Sequence, residues 1–203
     1  MKLSSTKAAR SAAARKAVRT RRNNAFHAML PFKRRMAIAE DVLASLEVEA
    51  IRANTGSFVR LDLDTLNSVE AGQQLQPTFL NPELSCSVCA LGACFVSAVK
   101  LGNDFCVTED HIDNNQLPFS DINDTLSKYF SAAQMQLIEI AFEEGRGWWK
   151  LDSHKLVVTE GQFRAAQRFG SNAYASGNYY YGPTNKLKAI MKNIIDNKGT
   201  FKP

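Results

Sequence analysis

The sequence predicts a mainly α (α+β) fold: a single helical domain with a minor β-hairpin and a basic N-terminal arm. Three observations predict it. In most long segments apolar residues return at i, i+3 and i+4, the period of one helix face. Runs of β-formers are short and few. Charge is segregated: residues 1–35 hold 11 Lys or Arg and no Asp or Glu, whereas residues 36–203 hold 14 basic and 20 acidic residues, a net of −6. With 203 residues and 45% hydrophobic content, the chain is long enough to bury a core without staples. The organisation is residues 1–30 as a partly helical arm and 31–203 as one mainly helical globular domain. No apolar run approaches the roughly 20 residues of a membrane span.

The elements follow in order. The arm from Ser4 to Leu30 is rich in Ala, Arg and Lys, good helix formers, and Ser5 or Thr6 can cap its start. Its apolar stripe (Ala12, Ala13, Ala17, Val18) is thin, so the arm is expected to fray alone and to be ordered by a partner. Pro31 opens a helix over 31–47, with Ile38, Val42 and Leu46 at i, i+4, i+8. Residues 48–53 and 58–63 flank Asn54-Thr55-Gly56-Ser57 and predict a hairpin. Residues 64–80 read as loop or short helix. Asn81-Pro82-Glu83 carries a cap, a first-turn proline and a first-turn acid. The run from Leu84 to Val99 is apolar on nearly every side, which predicts a central helix over 82–100 ended by Gly102.

Residues 103–120 read as an acidic loop. Asp121 or Asn123 caps a helix to Phe130, and Ser131 caps the next, with Met135, Ile138, Ala141 and Phe142 on one face and Gly145-Arg146-Gly147 breaking it. Lys155 to Val158 predicts a short strand. Thr159 caps a helix over 160–169, and residues 170–183, rich in Gly, Ser, Asn and Tyr, read as loop. The last helix starts near Thr184, bears the stripe Leu187, Ile190, Met191, Ile194 and Ile195, and stops at Asn197 and Gly199.

A basic arm attracts polyanions, because each phosphate it neutralises releases a counterion. The residues expected to carry that contact are Arg10, Arg15, Lys16, Arg19, Arg21 and Arg22, with Lys33, Arg34 and Arg35 as a second patch. Arg15, Arg19 and Arg22 share a helix face. The arm has no apolar h-region, so it does not read as a secretory signal; its acid-free Arg/Ser/Ala composition also fits a mitochondrial transit peptide. The plain alternative is a solvated tail.

Cys86 and Cys89 have the two-residue spacing of zinc and redox motifs, but no second close pair follows. On one ideal helix Cys94 would sit about 80° round and about 12 Å along from Cys86, out of reach of a shared tetrahedral ion. Cys86, Cys89, Cys106 and His111 would make a site only if the loop folds back. The sequence therefore assigns no metal and no cofactor, and reads the thiols as free core residues of a reducing, cytoplasmic compartment. A Cys–His pair using His111 or His154 has no local support. Glu139 and Glu143 share a helix face and read as solvated. No phosphate loop, dinucleotide fingerprint or serine elbow is present.

Trp148 and Trp149 follow Arg146, and Tyr179, Tyr180 and Tyr181 precede Lys186 and Lys188. Rings beside cations stack bases or fill a partner's pocket; otherwise such rings pin loops to a core. The stretch Cys86-Ser87-Val88-Cys89-Ala90-Leu91-Gly92-Ala93 and the ending Ala189–Ile195 through Gly199–Pro203 resemble small uncharacterised proteins carried by bacteriophages, across about a third of the chain. That resemblance implies a mobile-element origin, hence the host cytoplasm, and transfers no catalytic residue.

The expectation is a non-enzymatic phage-type accessory protein that binds nucleic acid through its arm and aromatic loops. Two alternatives stand beside it. One is a protein–protein inhibitor of a host defence complex that docks on an acidic host surface. The other is a cysteine- or zinc-dependent enzyme.

Overall fold

The computed structural model describes residues 3–56, 58–61, 69–109, 111, 117–143, 156–175 and 182–203, with side chains described from residue 13 onward. The fold is mainly helical with a small sheet, as the periodicity predicts. Eight helices occur among the described residues: α1 (Leu3–Ala28), α2 (Pro31–Glu47), α3 (Gln76–Phe79), α4 (Ala90–Gly102), α5 (Phe119–Ser127), α6 (Ala132–Glu143), α7 (Glu160–Ala175) and α8 (Gly182–Asp196). The strands are β1 (Ile51–Ala53), β2 (Val59–Arg60) and β3 (Cys86–Val88).

Helix α4 is the hub. Twelve of its 13 residues are buried, Lys100 being the exception. Helices α1, α2, α3, α5 and α6 pack around it, and α8 closes the other side against α2, α6 and α7. Lys100 Nζ donates to Asp41 Oδ2 at 2.8 Å and to Ser45 Oγ at 2.7 Å, so the one charged residue of α4 is bound to α2. Helix α2 matches its predicted bounds, and its buried face holds Ile38, Ala39, Val42 and Leu46. Helix α8 buries Leu187, Ile190, Met191 and Ile194, as its stripe predicts. Ser131 Oγ accepts from Gln134 N at the start of α6. Thr159 and Gln162 form a reciprocal capping box at the start of α7.

Several elements depart from the sequence reading; among them, α5 starts at Phe119 after Pro118, ahead of the predicted caps Asp121 and Asn123, and ends at Ser127 instead of Phe130. The predicted helix over 82–100 is a turn, a strand and a shorter helix. Asn81 Oδ1 accepts from Glu83 N, which closes a turn in place of a helix start. Residues 86–88 then run as a strand, because both of their edges find a backbone partner. β3 lies between the other two strands, parallel to β1 (Ile51↔Cys86, Ala53↔Val88) and antiparallel to β2 (Val59↔Val88). The predicted hairpin is therefore absent as such: β1 and β2 are not neighbours but flank β3. Cys89 caps α4, with its sulfur accepting from Gly92 N, and Asn103 at φ 58° ends it in place of Gly102. Finally, residues 156–158 form no strand; Val157 N donates to Gln136 Oε1 instead.

Helix α7 extends six residues past its predicted end, through Gly170. That glycine works inside the helix as a contact point: a Cβ there would lie 1.8 Å from Ala141 O of α6. Gly161, in the first turn of the same helix, has open space around it. The two sites predict opposite signs for one substitution. Gly170→Ala should destabilise by about 1–3 kcal/mol through overpacking. Gly161→Ala should be neutral or stabilise by up to about 1 kcal/mol through helix propensity. Urea denaturation of both variants checks the pair.

Candidate functional site

Among the described side chains, helix α1 is held to the body at its C-terminal end. Phe26 is buried and its ring lies 5.6 Å from that of Tyr129. His27 Nε2 bonds Gly102 O, and the side-chain amides of Asn23 and Gln76 pair beside Lys100 O. Residues 13–18 are all exposed, and six successive residues sample every azimuth of a helix. That turn of α1 therefore stands clear of the body on all sides.

The predicted arm residues divide accordingly. Arg15, Lys16, Arg21 and Arg22 are exposed, and Arg19 is half-buried. Arg22 approaches Asp41 at 3.9 Å with its side chain 55% exposed, a weak tie. Arg10 belongs to α1, but its side chain lies outside the described set. In the second patch only Lys33 is exposed. Arg34 Nε donates to Met29 O. Arg35 donates from Nε to Gly199 O and from Nη1 to Tyr129 O, bracing α2 against the turn after α8. Trp148, Trp149, Tyr179, Tyr180 and Tyr181, like His154, lie outside the described residues.

Cys86, Cys89, Cys106 and His111 are not brought together as a group of ligands. Cys106 is exposed, and the other three thiols are buried. Burial pushes the Cys86 and Cys94 thiols up to about 12. His111 is buried and stacks on Phe105; its Nδ1 accepts from Thr108 N, so Nε2 carries the proton shared with Asp121. That arrangement ties the 105–111 segment to α5.

One of those four residues does belong to a cluster, with partners the sequence reading placed elsewhere. Cys89 Sγ and one oxygen each of Glu139 and Glu143 lie within 4.8 Å of one another. The two glutamates are not solvated: Glu139 is 3% exposed and Glu143 9%. Nine successive residues of α6, Met135 to Glu143, are buried, because α4, α7 and α8 enclose the helix. The available signal was Leu137, Ile138, Ile140, Ala141 and Phe142, which leave only Gln136 beside the two acids on a narrow polar stripe.

Backbone amides partly offset this buried negative charge. Gly56 N donates to both carboxylate oxygens of Glu143, at 3.1 and 3.2 Å. Gly92 N donates to Cys89 Sγ at 3.4 Å, at the positive end of α4. Glu139 Oε2 is buried with no hydrogen-bond partner. Burial, and then Glu143, push the Glu139 carboxyl up to about 8. Burial, and then Glu139, raise the Cys89 thiol, while the Gly92 amide opposes. The set of one sulfur and two oxygens could hold a metal ion or share protons.

Comparison with protein-family models, curated proteins and solved structures finds no match to this chain. Among the described residues no helix is long and apolar enough to cross a membrane.

The Glu139 environment has a pH consequence. Its carboxyl keeps its proton to about pH 8 when folded and loses it near the ordinary carboxylate value, 4.5, when unfolded. Between those values the folded state binds more protons, so stability falls as pH rises. In chelator-treated protein the unfolding free energy should drop from pH 5 to pH 8, by on the order of a few kcal/mol. Glu139→Gln should flatten that slope. Urea denaturation at the two pH values, with and without the substitution, measures it.

Proposed function

We propose that the chain is a non-enzymatic, phage-type accessory protein that binds nucleic acid through α1. The observation that supports this reading is the free-standing turn at residues 13–18, with Arg15, Lys16, Arg21 and Arg22 exposed along the helix. An α-helix fits the major groove of duplex DNA. A helical stretch whose residues 13–18 pack against nothing, in a helix without a single acid, has little reason to persist there alone. A polyanion removes its self-repulsion and supplies the missing partner. The body contributes by its opposite sign: a net of −6 over residues 36–203 repels phosphate and leaves the arm as the point of approach.

Contacts of this kind position without reading sequence, so affinity should be general and dependent on salt. Four phosphate contacts correspond to a salt slope of about −3.6, or roughly a hundredfold loss of affinity from 50 to 200 mM salt. Fluorescence anisotropy with a labelled duplex and a labelled single strand tests this. The variant Arg15→Ala, Lys16→Ala, Arg21→Ala, Arg22→Ala should bind far more weakly and lose most of the slope. Binding that ignores both salt and the four substitutions would overturn the proposal. Retention of one host protein after nuclease treatment, with no DNA or RNA affinity, would favour a protein partner instead.

A further inference from the structure

We propose that Cys89, Glu139 and Glu143 form a binding site for one divalent transition-metal ion of the zinc class. Three ligand atoms already lie within 4.8 Å of one another, from the N-cap of α4 and from α6, two helices in contact. In a tetrahedral zinc site, with Zn–S near 2.3 Å and Zn–O near 2.0–2.2 Å, neighbouring ligand atoms stand roughly 3.3–3.7 Å apart. Closure therefore asks for side-chain movements of about an ångström. Backbone amides of Gly92 and Gly56 fix two of the three ligands, the sulfur and the Glu143 carboxylate. Outer hydrogen bonds of this kind orient metal ligands.

A second observation points the same way. Glu139 is 3% exposed, and its Oε2 has no hydrogen-bond partner. A buried carboxylate oxygen without a donor is costly and rare. The carboxylate that carries it stands beside a thiol and a second carboxylate, a neighbourhood that a cation completes. Lys186, a buried cation on α8, donates to Phe142 O.

The donor set selects the class of ion. Calcium and magnesium take oxygen ligands and gain nothing from a thiolate. One sulfur and two carboxylate oxygens suit a borderline ion such as Zn²⁺, with the fourth position left to water. On binding, the thiol proton and the Glu139 carboxyl proton leave to solvent as one M²⁺ enters, so the net charge of the cluster is unchanged. Gly56 is exposed and Glu143 is the least buried of the three ligands, so the ion enters from that edge. Once bound, it joins the start of α4 to α6 and, through Glu143, to the loop after β1. This site is independent of the arm and of its ligand.

The test uses the full chain, reduced and stripped with chelator, then titrated with Zn²⁺ alone and, separately, with Co²⁺ as a spectroscopic substitute. Calorimetry should give one ion per chain, and Zn²⁺ should raise the thermal midpoint. Co²⁺ should give tetrahedral d–d bands together with a thiolate-to-metal charge-transfer band. Cys89→Ser should remove the charge-transfer band, and Glu139→Gln should weaken binding at least tenfold. Cys106→Ser should change neither. No saturable uptake by the wild-type chain, or uptake that follows Cys106 instead of Cys89, overturns the proposal. Should Cys89→Ser fail to fold, the Cys106→Ser chain decides: the band must appear there and weaken with Glu139→Gln added. Its absence there is equally fatal.

Discussion

The interior is organised by how closely α4 approaches the strand beside it. A Cβ at Gly92 would sit 1.6 Å from Phe58 O, and that same oxygen accepts the Cys89 N–H at 3.2 Å. Any side chain at position 92 would push β2 away from the start of α4 and break that bond. The displacement would spread, because the Phe58 ring rests 4.6 Å from the ring of Phe119 on α5. It would also reach Gly56, whose amide holds both oxygens of Glu143. One missing methyl group thus connects the sheet, the central helix, α5 and the acidic residues of α6. Protein interiors are packed too densely for such a contact to relax by small shifts elsewhere.

Much of this architecture was legible in the sequence, and the failures share a physical cause. Helices α2 and α8 have one buried stripe and one wet face, so their period alone fixes them. The stretch from Cys86 to Gly102 has no wet face, and an apolar run of that kind carries no period to separate strand from helix. What decided it was external: the free edges of β1 and β2 satisfied the backbone of residues 86–88 on both sides. β1 and β2 fall within the two predicted arms, 48–53 and 58–63, but are shorter and are not neighbours, since local turn signals at Asn54 and Gly56 say nothing of a third strand arriving from later in the chain. Residues 170–175 read as loop from their Gly, Ser and Asn content, because a sequence cannot reveal that Ala141 O lies against Gly170.

The same limit governs the acidic residues. A Glu pair at i, i+4 normally shares a solvated face, and only the apolar residues on every other azimuth of α6 warn against that here. Cys89 stood out in the sequence through its spacing from Cys86, yet the structure separates the two by function. Cys86 is in a strand, with its sulfur directed to Ala50 O, while Cys89 caps a helix and faces α6. Reading both on one helix hid this, because it placed them on a common surface that does not exist.

Charge acts in two opposite regimes in this molecule. On α1 the positive groups stand in water, where each is worth little alone and matters by number and by salt. At Cys89, Glu139 and Glu143 the negative groups are withdrawn from water, where each must be protonated, bonded to an amide or matched by a cation. The first regime tolerates substitution and gives long-range attraction. The second demands geometry, and it is met at Glu143 and Cys89 but left open at Glu139 Oε2. Among the described ion pairs, Arg22 and Lys100 meet Asp41 on α2. An arm that engages its ligand and a core that retains its protons or a metal ion are therefore separable properties, each free to vary without unmaking the other.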